Sequence, residues 1–383
     1  MELKNRIRMT IAVIGFYSAM TLFFVPHMAL GAELSVDYHE RSRLFGVRHI
    51  CYTLGSILSL GAMYLLINEE FAEGGNVRLM AREQALIAIA IMVVLVIYAV
   101  VMLRERPEFQ NRQQGGPLQA FRDIWGNPHA KLLIIVTFIE YVGSAAIAAL
   151  TLYISQYVVG APAMAPLIIL AYMIPSTVFV PLWIPLSKRF GKIRVWMFGM
   201  ILTGLSFGGM FSLPFIDSVE QRLFWIMLLA AFAGLAAGCG GTLGPSVQGD
   251  VIDYDEYKTG ERKEGSYFAA WNFVHKSALG VMLLLTGFVL DFAGFMPNVE
   301  QTMQVKIAMV SLYGLFPLVC YTVGAILFSR FSLDEKAYEV IRTELDARRA
   351  KAAHGPILRR RDAHNTAPWA APIGATPIAT VCV

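Results

Sequence analysis

The chain has 383 residues, 56% hydrophobic and 16% charged, with a formal net charge of +4 and a mean hydropathy of +0.55. Soluble domains carry about 25% charged residues, so this composition excludes an ordinary water-soluble core. The basic residues form no nucleic-acid footprint, and the dispersed cysteines offer no C-x-x-C zinc pattern.

Apolar residues come in blocks long enough to cross about 30 Å of hydrocarbon, which takes ~20 helical residues. They lack strict alternation, so helices, which satisfy their own backbone in lipid, are the expected form. The pattern predicts an all-α membrane protein with about nine spans, near 9–31, 46–67, 84–103, 131–155, 164–186, 194–214, 222–248, 266–292 and 306–329. The polar, Gly- and Pro-bearing stretch 104–130 reads as a loop between an incomplete bundle (1–103) and a six-helix bundle (131–330). Segment 331–353 is charged and helix-compatible, and the last thirty residues read as a disordered tail.

The first span carries Tyr17, a candidate stacking platform, and ends in Glu33 and Asp37-Tyr38-His39-Glu40-Arg41. Along the second, Arg48, Tyr52, Ser56 and Ser59 recur at helical spacing. Arg48 is read as a donor to a sugar hydroxyl or carboxylate, or else as an interfacial arginine on lipid phosphate. In the fourth span Thr137, Glu140, Ser144, Thr151 and Ser155 share one face. Ionisable groups inside a span are costly and suggest function. Glu140 lies about nine residues into its span, ~13 Å deep at 1.5 Å per residue.

Pro162, Pro166, Pro175, Pro181 and Pro185 crowd the fifth span, and the basic Lys188, Arg189, Lys192 and Arg194 follow it. Gly234, Gly238, Gly240, Gly241 and Gly244 crowd the seventh, which ends in Asp250 and Asp253-Tyr254-Asp255-Glu256. Small residues let helices approach closely, and prolines interrupt the backbone ladder. The eighth span holds Trp271, Asn272 and Lys276. Lys276 is about ten residues in, ~15 Å deep, at a depth similar to that of Glu140. The two are expected to be coupled, one of them releasing its proton during a transport cycle.

If the C-terminal tail is cytoplasmic, most of the 32 Lys and Arg residues fall on that side, as the positive-inside rule requires. The acidic residues Glu33, Asp37, Glu40, Asp250, Asp253 and Glu256 then face Arg41, Arg43, Lys188, Arg189, Lys192 and Arg194 at that end. We read them as pairs that lock two bundles together. Exposed pairs give only about 0–1 kcal/mol each, so several are needed. The D-Y-x-E sequence closes both the first and the seventh span, which suggests a tandem repeat of bundles. The second copy has three spans before its D-Y-x-E helix and the first has none. Repeat symmetry therefore predicts roughly 90 residues and three helices ahead of Met1.

The run Pro26-His27-Met28-Ala29-Leu30-Gly31-Ala32-Glu33-Leu34-Ser35-Val36-Asp37-Tyr38-His39-Glu40-Arg41 resembles the helix-four end of the glycoside–pentoside–hexuronide:cation symporters, the melibiose-carrier-like branch of the major facilitator superfamily. Gly249-Asp250-Val251-Ile252-Asp253-Tyr254-Asp255-Glu256-Tyr257-Lys258 resembles the helix-ten end, Phe273-Val274-His275-Lys276 the lysine-bearing helix eleven, and Pro297-Asn298-Val299-Glu300-Gln301 the following outer loop. The resemblance covers about residues 9–345 in order. It implies twelve helices in two bundles, a central cavity, and uptake of a sugar or related solute with H⁺ or Na⁺ as coupling cation. It also implies a monomer in the cell (inner) membrane. Lys276 and Arg48 match family positions. The family's main cation-coordinating carboxylates lie on a helix that this chain does not carry. Phe24 stands where melibiose-like members have an acid, which argues against galactoside recognition.

A lysolipid carrier, a non-transporting solute receptor and a truncated inactive transporter are the competing readings. An enzyme is not expected: there is no P-loop, HExxH, G-x-S-x-G or Rossmann fingerprint. His27, His39, His49 and His275 share no ligand spacing, so no cofactor or metal is expected beyond the coupling cation.

Overall fold

The structure, a computed structural model, describes residues 2–35, 37–67, 77–102 and 117–360. These residues form helices throughout: α1 (Glu2–Leu34), α2 (Tyr38–Ile67), α3 (Val77–Met102), α4 (Pro117–Gly126), α5 (Pro128–Tyr153), α6 (Ala165–Val178), α7 (Val180–Phe190), α8 (Lys192–Gly209), α9 (Val219–Thr259), α10 (Glu264–Phe292), α11 (Met303–Val310), α12 (Phe316–Phe328) and α13 (Glu335–Arg360). A π-helical turn, Ile154–Val159, prolongs α5; a 3₁₀ turn, Met210–Phe215, prolongs α8; and a second π turn, Ser311–Leu315, joins α11 to α12.

Among the described residues, seven helical segments are long and apolar enough to cross a membrane, and the pair α6–α7 makes an eighth. Helix α2 covers the expected second span. The α6–α7 pair bends by 49°, between Pro175 and Pro181. The Phe179 amide bonds back to Pro175 O (3.1 Å), and Pro181, at the start of α7, has no N–H to continue the ladder.

Two expectations need correction. The stretch 104–130 is not loop throughout: 117–126 is the helix α4, and α5 begins at Pro128. Ile124 of α4 is buried while Phe121 and Trp125 lie exposed. Asn127 then ends the turn and caps α5, its Oδ1 accepting from His129 N (3.1 Å) and Ala130 N (3.2 Å), with Pro128 at the first helical position. The Pro and Gly content of this stretch hid a short amphipathic helix. Helix α13 also runs past 353, to Arg360, so the first residues of the expected tail are helical; residues 361–383 lie outside the described residues.

The core sits in the bundle of α5–α12. Its tightest contact is α9 on α6: a methyl group at Gly234 would stand 1.9 Å from Tyr172 O, and one at Gly238 would stand 2.5 Å from Ser176 O. Helices α1 and α2 lean on this bundle, α2 against α9, α6 and α7 and α1 against α10. Helix α3 packs against α2 and otherwise exposes apolar side chains such as Ile87, Ile91 and Val94. In water such a surface is a liability; against hydrocarbon it is the expected one.

Candidate functional site

Between α1–α2 on one side and α5, α8, α9 and α10 on the other lies a cavity of about 470 Å³. Tyr17, Arg48, Tyr52, Glu140, Trp271, Asn272 and Lys276 all line it. They reach it from four helices; of the α2 stripe, Arg48 and Tyr52 line it, whereas Ser56 bonds back to Tyr52 O and Ser59 is exposed. On α5, Thr137, Glu140 and Ser144 face the cavity. The rest of that stripe packs instead: Thr151 meets the Tyr313 hydroxyl (3.3 Å), and Ser155 donates to Ala161 O (2.8 Å).

Glu140 and Lys276 share the cavity without an ion pair between them. Lys276 Nζ hydrogen-bonds the Thr21 hydroxyl and Tyr17 O (3.3 Å), and sits 5.5 Å from the Tyr17 ring centre. Glu140 lies on another wall: a methyl group at Gly240 would be 3.6 Å from Glu140 Oε1 and 3.5 Å from Trp196 Nε1. Arg48 lies over the Phe24 ring, 5.5 Å from its centre. Its Nε is buried and has no partner, and the same holds for Trp271 Nε1, whereas the Trp196 indole reaches the Glu140 carboxyl. Trp271 is only 3% exposed and packs on Tyr267 and Phe268, so it offers an edge to the cavity rather than an open face. Tyr17 and Tyr52 are well exposed.

Sequence reasoning missed His49, His275, Tyr141 and Gln248, which also line the cavity. His49 Nε2 shares a hydrogen with Ser176 Oγ (3.0 Å), and its ring fills the space a side chain at Gly241 would need, 2.3 Å from that Cβ position. The signal was available: a histidine directly after Arg48 sits beside the polar stripe.

Just beyond Gln248, the last residue of α9 to line the cavity, lies a buried charge network. Arg41 of α2 donates to Asp250 Oδ1 and Asp253 Oδ2 of α9, both at 2.8 Å. Lys192 donates to Asp250 Oδ2 (2.8 Å) and lies 3.3 Å from the Tyr38 ring centre. Arg262 donates to Asp253 Oδ1 and Glu256 Oε2, both at 2.7 Å, and also meets Glu264. Tyr338 of α13 donates to Asp253 Oδ2 (2.8 Å). Burial, with the Asp253 carboxylate beside it, holds the Tyr338 phenol well above the usual tyrosine range, so it stays a donor.

The expectation of exposed pairs is corrected here. The Arg41 and Asp253 side chains are fully buried, so an uncompensated loss of one partner is costly, ~3–5 kcal/mol. Of the residues proposed for this end, Arg41, Lys192, Asp250, Asp253 and Glu256 belong to the network. Lys188 and Arg189 are exposed, and Arg189 lies over Phe190 at 5.3 Å. Gly191, with φ +85°, turns the chain so that Lys192 faces inward instead. Asp37 caps α2, accepting from His39 N (2.9 Å) and Glu40 N (2.7 Å). Glu40 is exposed and accepts from Ser35 Oγ (3.4 Å), and Glu33 is half-buried at the end of α1. The two D-Y-x-E copies therefore do different work, Asp37 of the first capping the start of α2 and Asp253 of the second anchoring the network.

A family model described as MFS/sugar transport protein matches residues 4–335. The chain is 33% identical over 174 residues to the uncharacterized symporter YjmB of Bacillus subtilis (strain 168), covering 45% of this chain and 36% of that one. It is 29% identical over 252 residues to a putative 2,3-dihydroxypropane-1-sulfonate exporter of Escherichia coli (strain K12), covering 63% of this chain and 51% of that one. It is 24% identical over 371 residues to the sodium-dependent lysophosphatidylcholine symporter 1 of Homo sapiens, covering 88% of this chain and 66% of that one. The chain thus spans about a third to two thirds of the length of these relatives.

Proposed function

Because the chain belongs to the MFS/sugar transport protein family, an all-α family of membrane transporters rather than enzymes, we propose that it carries a sugar or related small solute across a membrane, coupled to H⁺ or Na⁺, by alternating access. The observation that carries this reading is a cavity between two groups of helices, lined by polar groups, with buried ion pairs bridging the two groups just beyond its Gln248 wall. A wet passage sealed on one side is what an alternating-access carrier needs in one of its two states. The Lys and Arg bias of the loops supports a cytoplasmic position for the sealed end and the tail. Residues Tyr17, Arg48, Tyr52, Glu140, Trp271, Asn272 and Lys276 are then the solute and coupling groups, and the protein works as a multi-pass monomer of the cell membrane.

A lysolipid is the second reading, favoured by the many aromatic side chains on the cavity wall and by the lysolipid named for one relative. The test is uptake into proteoliposomes holding the purified protein, with labelled sugars and a labelled lysolipid, under imposed H⁺ or Na⁺ gradients. Gradient-driven accumulation of a sugar supports the first reading. Binding without flux of any solute would replace it with a sensor.

A further inference from the structure

Helix α4 is held on one side only. Asp123 Oδ2 accepts from Lys263 Nζ (2.7 Å), and Ile124 is buried in the core. The Asn127 side chain that follows donates to the Tyr267 hydroxyl (3.0 Å) and to Val251 O (3.4 Å). The opposite side carries Phe121, Arg122 and Trp125. Phe121 is 64% and Trp125 50% exposed, and their rings stack with centres 6.3 Å apart. Two cations flank Trp125. Arg122 stands three residues before it on the same helix face, and Lys131 of α5 places its Nζ 5.7 Å from the ring centre. The adjacent carboxylate, Asp123, is taken by Lys263. Among the described residues neither Arg122 nor Lys131 has an ion-pair partner. Trp125 also lies just before Pro128, where a helix apolar enough to cross a membrane begins. Ile135, four residues after Lys131 on α5, is exposed too, so the aromatic face runs on into the outer side of that span.

We propose that the outer face of α4 is a binding site for an anionic phospholipid of the leaflet at the network end. Phe121 and Trp125 enter the boundary between headgroups and acyl chains, where aromatic side chains are favoured. Arg122 and Lys131 hold the lipid phosphate, Arg122 with a planar fork that matches its oxygens and Lys131 with a point charge. The charge selects an anionic lipid: two unpaired cations need a counter-charge, and a zwitterionic headgroup brings a cation of its own. The continuity with α5 selects a lipid over a protein, because a lipid reaches this face without leaving the bilayer. In water two open aromatic rings would be a liability. A helix of ten residues is too short to order itself on a membrane. The fixed inner face of α4 supplies that order in advance, which lowers the cost of binding. Lys263, which holds Asp123, follows Arg262, so the seat is built on the segment that ties Asp253 and Glu256. The site uses no residue of the cavity, so it stands apart from which solute is carried.

The experiment uses the purified full chain in detergent micelles and isolates the Trp125 signal as the difference in fluorescence between the protein and Trp125→Phe. The probes are phosphatidylglycerol and phosphatidylcholine with brominated acyl chains, which quench an indole that they touch. Phosphatidylglycerol should half-quench Trp125 at a mole fraction about tenfold or more below that of phosphatidylcholine, the scale of two basic side chains at an anionic surface. High salt should shrink this difference to about threefold or less. The double variant Arg122→Gln, Lys131→Gln should shrink it equally, read against its own Trp125→Phe form. Both side chains are exposed, and the salt arm decides the matter if that variant fails to fold. The double variant Lys188→Gln, Arg189→Gln, which removes exposed charge elsewhere, should leave the difference intact. Equal quenching by the two lipids overturns the inference, as does a difference that survives high salt or the Arg122 and Lys131 changes. An equal loss in the Lys188 and Arg189 variant overturns it in favour of a diffuse basic surface. A Trp125 that neither lipid quenches overturns it in favour of a protein covering the face.

Discussion

Asp253 accepts hydrogen bonds from three separate segments: Arg41 at the start of α2, Arg262 between α9 and α10, and Tyr338 on α13. Replacing it with alanine leaves Arg41 and Arg262 without one of their carboxylates in a site closed to water. We expect a loss of ~3–5 kcal/mol, read as a marked drop in melting temperature in detergent. Removing only the phenol hydroxyl, with Tyr338→Phe, keeps the ring on Tyr38 (5.2 Å) and should cost less, ~1.5–3 kcal/mol for a bond to a charged acceptor. A Tyr338 variant that melts lower than the Asp253 variant would reverse this ranking and show α13, not the ion cluster, to be the main tie. At the same scale, Glu140 and Lys276 are joined by a cavity and not by contact, so any coupling between them runs through solute or proton. Glu140→Gln and Lys276→Gln should each lower uptake, and the double variant should lose less than the two effects combined. Strictly additive losses would rule the coupling out. The sequence exposed Lys276 and Glu140 because lipid makes a lone charge in an apolar block conspicuous. It did not expose Lys192 over its neighbours Lys188 and Arg189, since that choice depends on the φ of Gly191.

Among the elements, α9 shows most directly how composition sets packing. Gly234 and Gly238 lie one helical turn apart on the face against α6, and Gly241 continues it against His49 of α2. At Gly234 and Gly238 the obstacle is carbonyl backbone, which no rotamer change can move away. Gly234→Ala should therefore force α6 and α9 apart and cost at least the ~1–3 kcal/mol of an overpacked site. Gly280→Ala on α10 meets nothing within 4 Å and should be neutral or stabilising by up to about 1 kcal/mol, because alanine restricts the unfolded chain and favours helix. Comparable melting temperatures for the two variants would sink the close-approach argument. The glycine run was visible in the sequence; which glycines touch backbone was not, because that depends on the rotation of α9 about its own axis. Similarly, the proline cluster announced a broken span. Helix α4 stayed hidden because its ten residues are too few to show a period, and because Pro117 and Asn127-Pro128 look like loop punctuation when they are a start and a cap.

For the whole molecule, the network must be strong enough to hold one end shut and weak enough to release in each cycle. A difference of 1.4 kcal/mol changes a two-state ratio tenfold, so a lock of ~3–5 kcal/mol biases the closed state by roughly two to three and a half orders of magnitude. Arg41 is the group to remove, because its carboxylates do not depend on it alone. Asp250 keeps Lys192, and Asp253 keeps Arg262 and Tyr338. Arg41→Gln therefore cuts the tie between α2 and α9 without stranding a buried charge. Gln248 is the reporter: it lines the cavity, is only 5% exposed, and lies just inside Asp250. A cysteine placed there should react slowly with a membrane-impermeant maleimide added on the sealed side. In the Arg41→Gln background its labelling rate should rise about tenfold or more, while the opposite side becomes less reactive, as two exclusive states require. A rise on both sides would indicate a loosened bundle, and no rise would place the barrier elsewhere than in the Arg41 network.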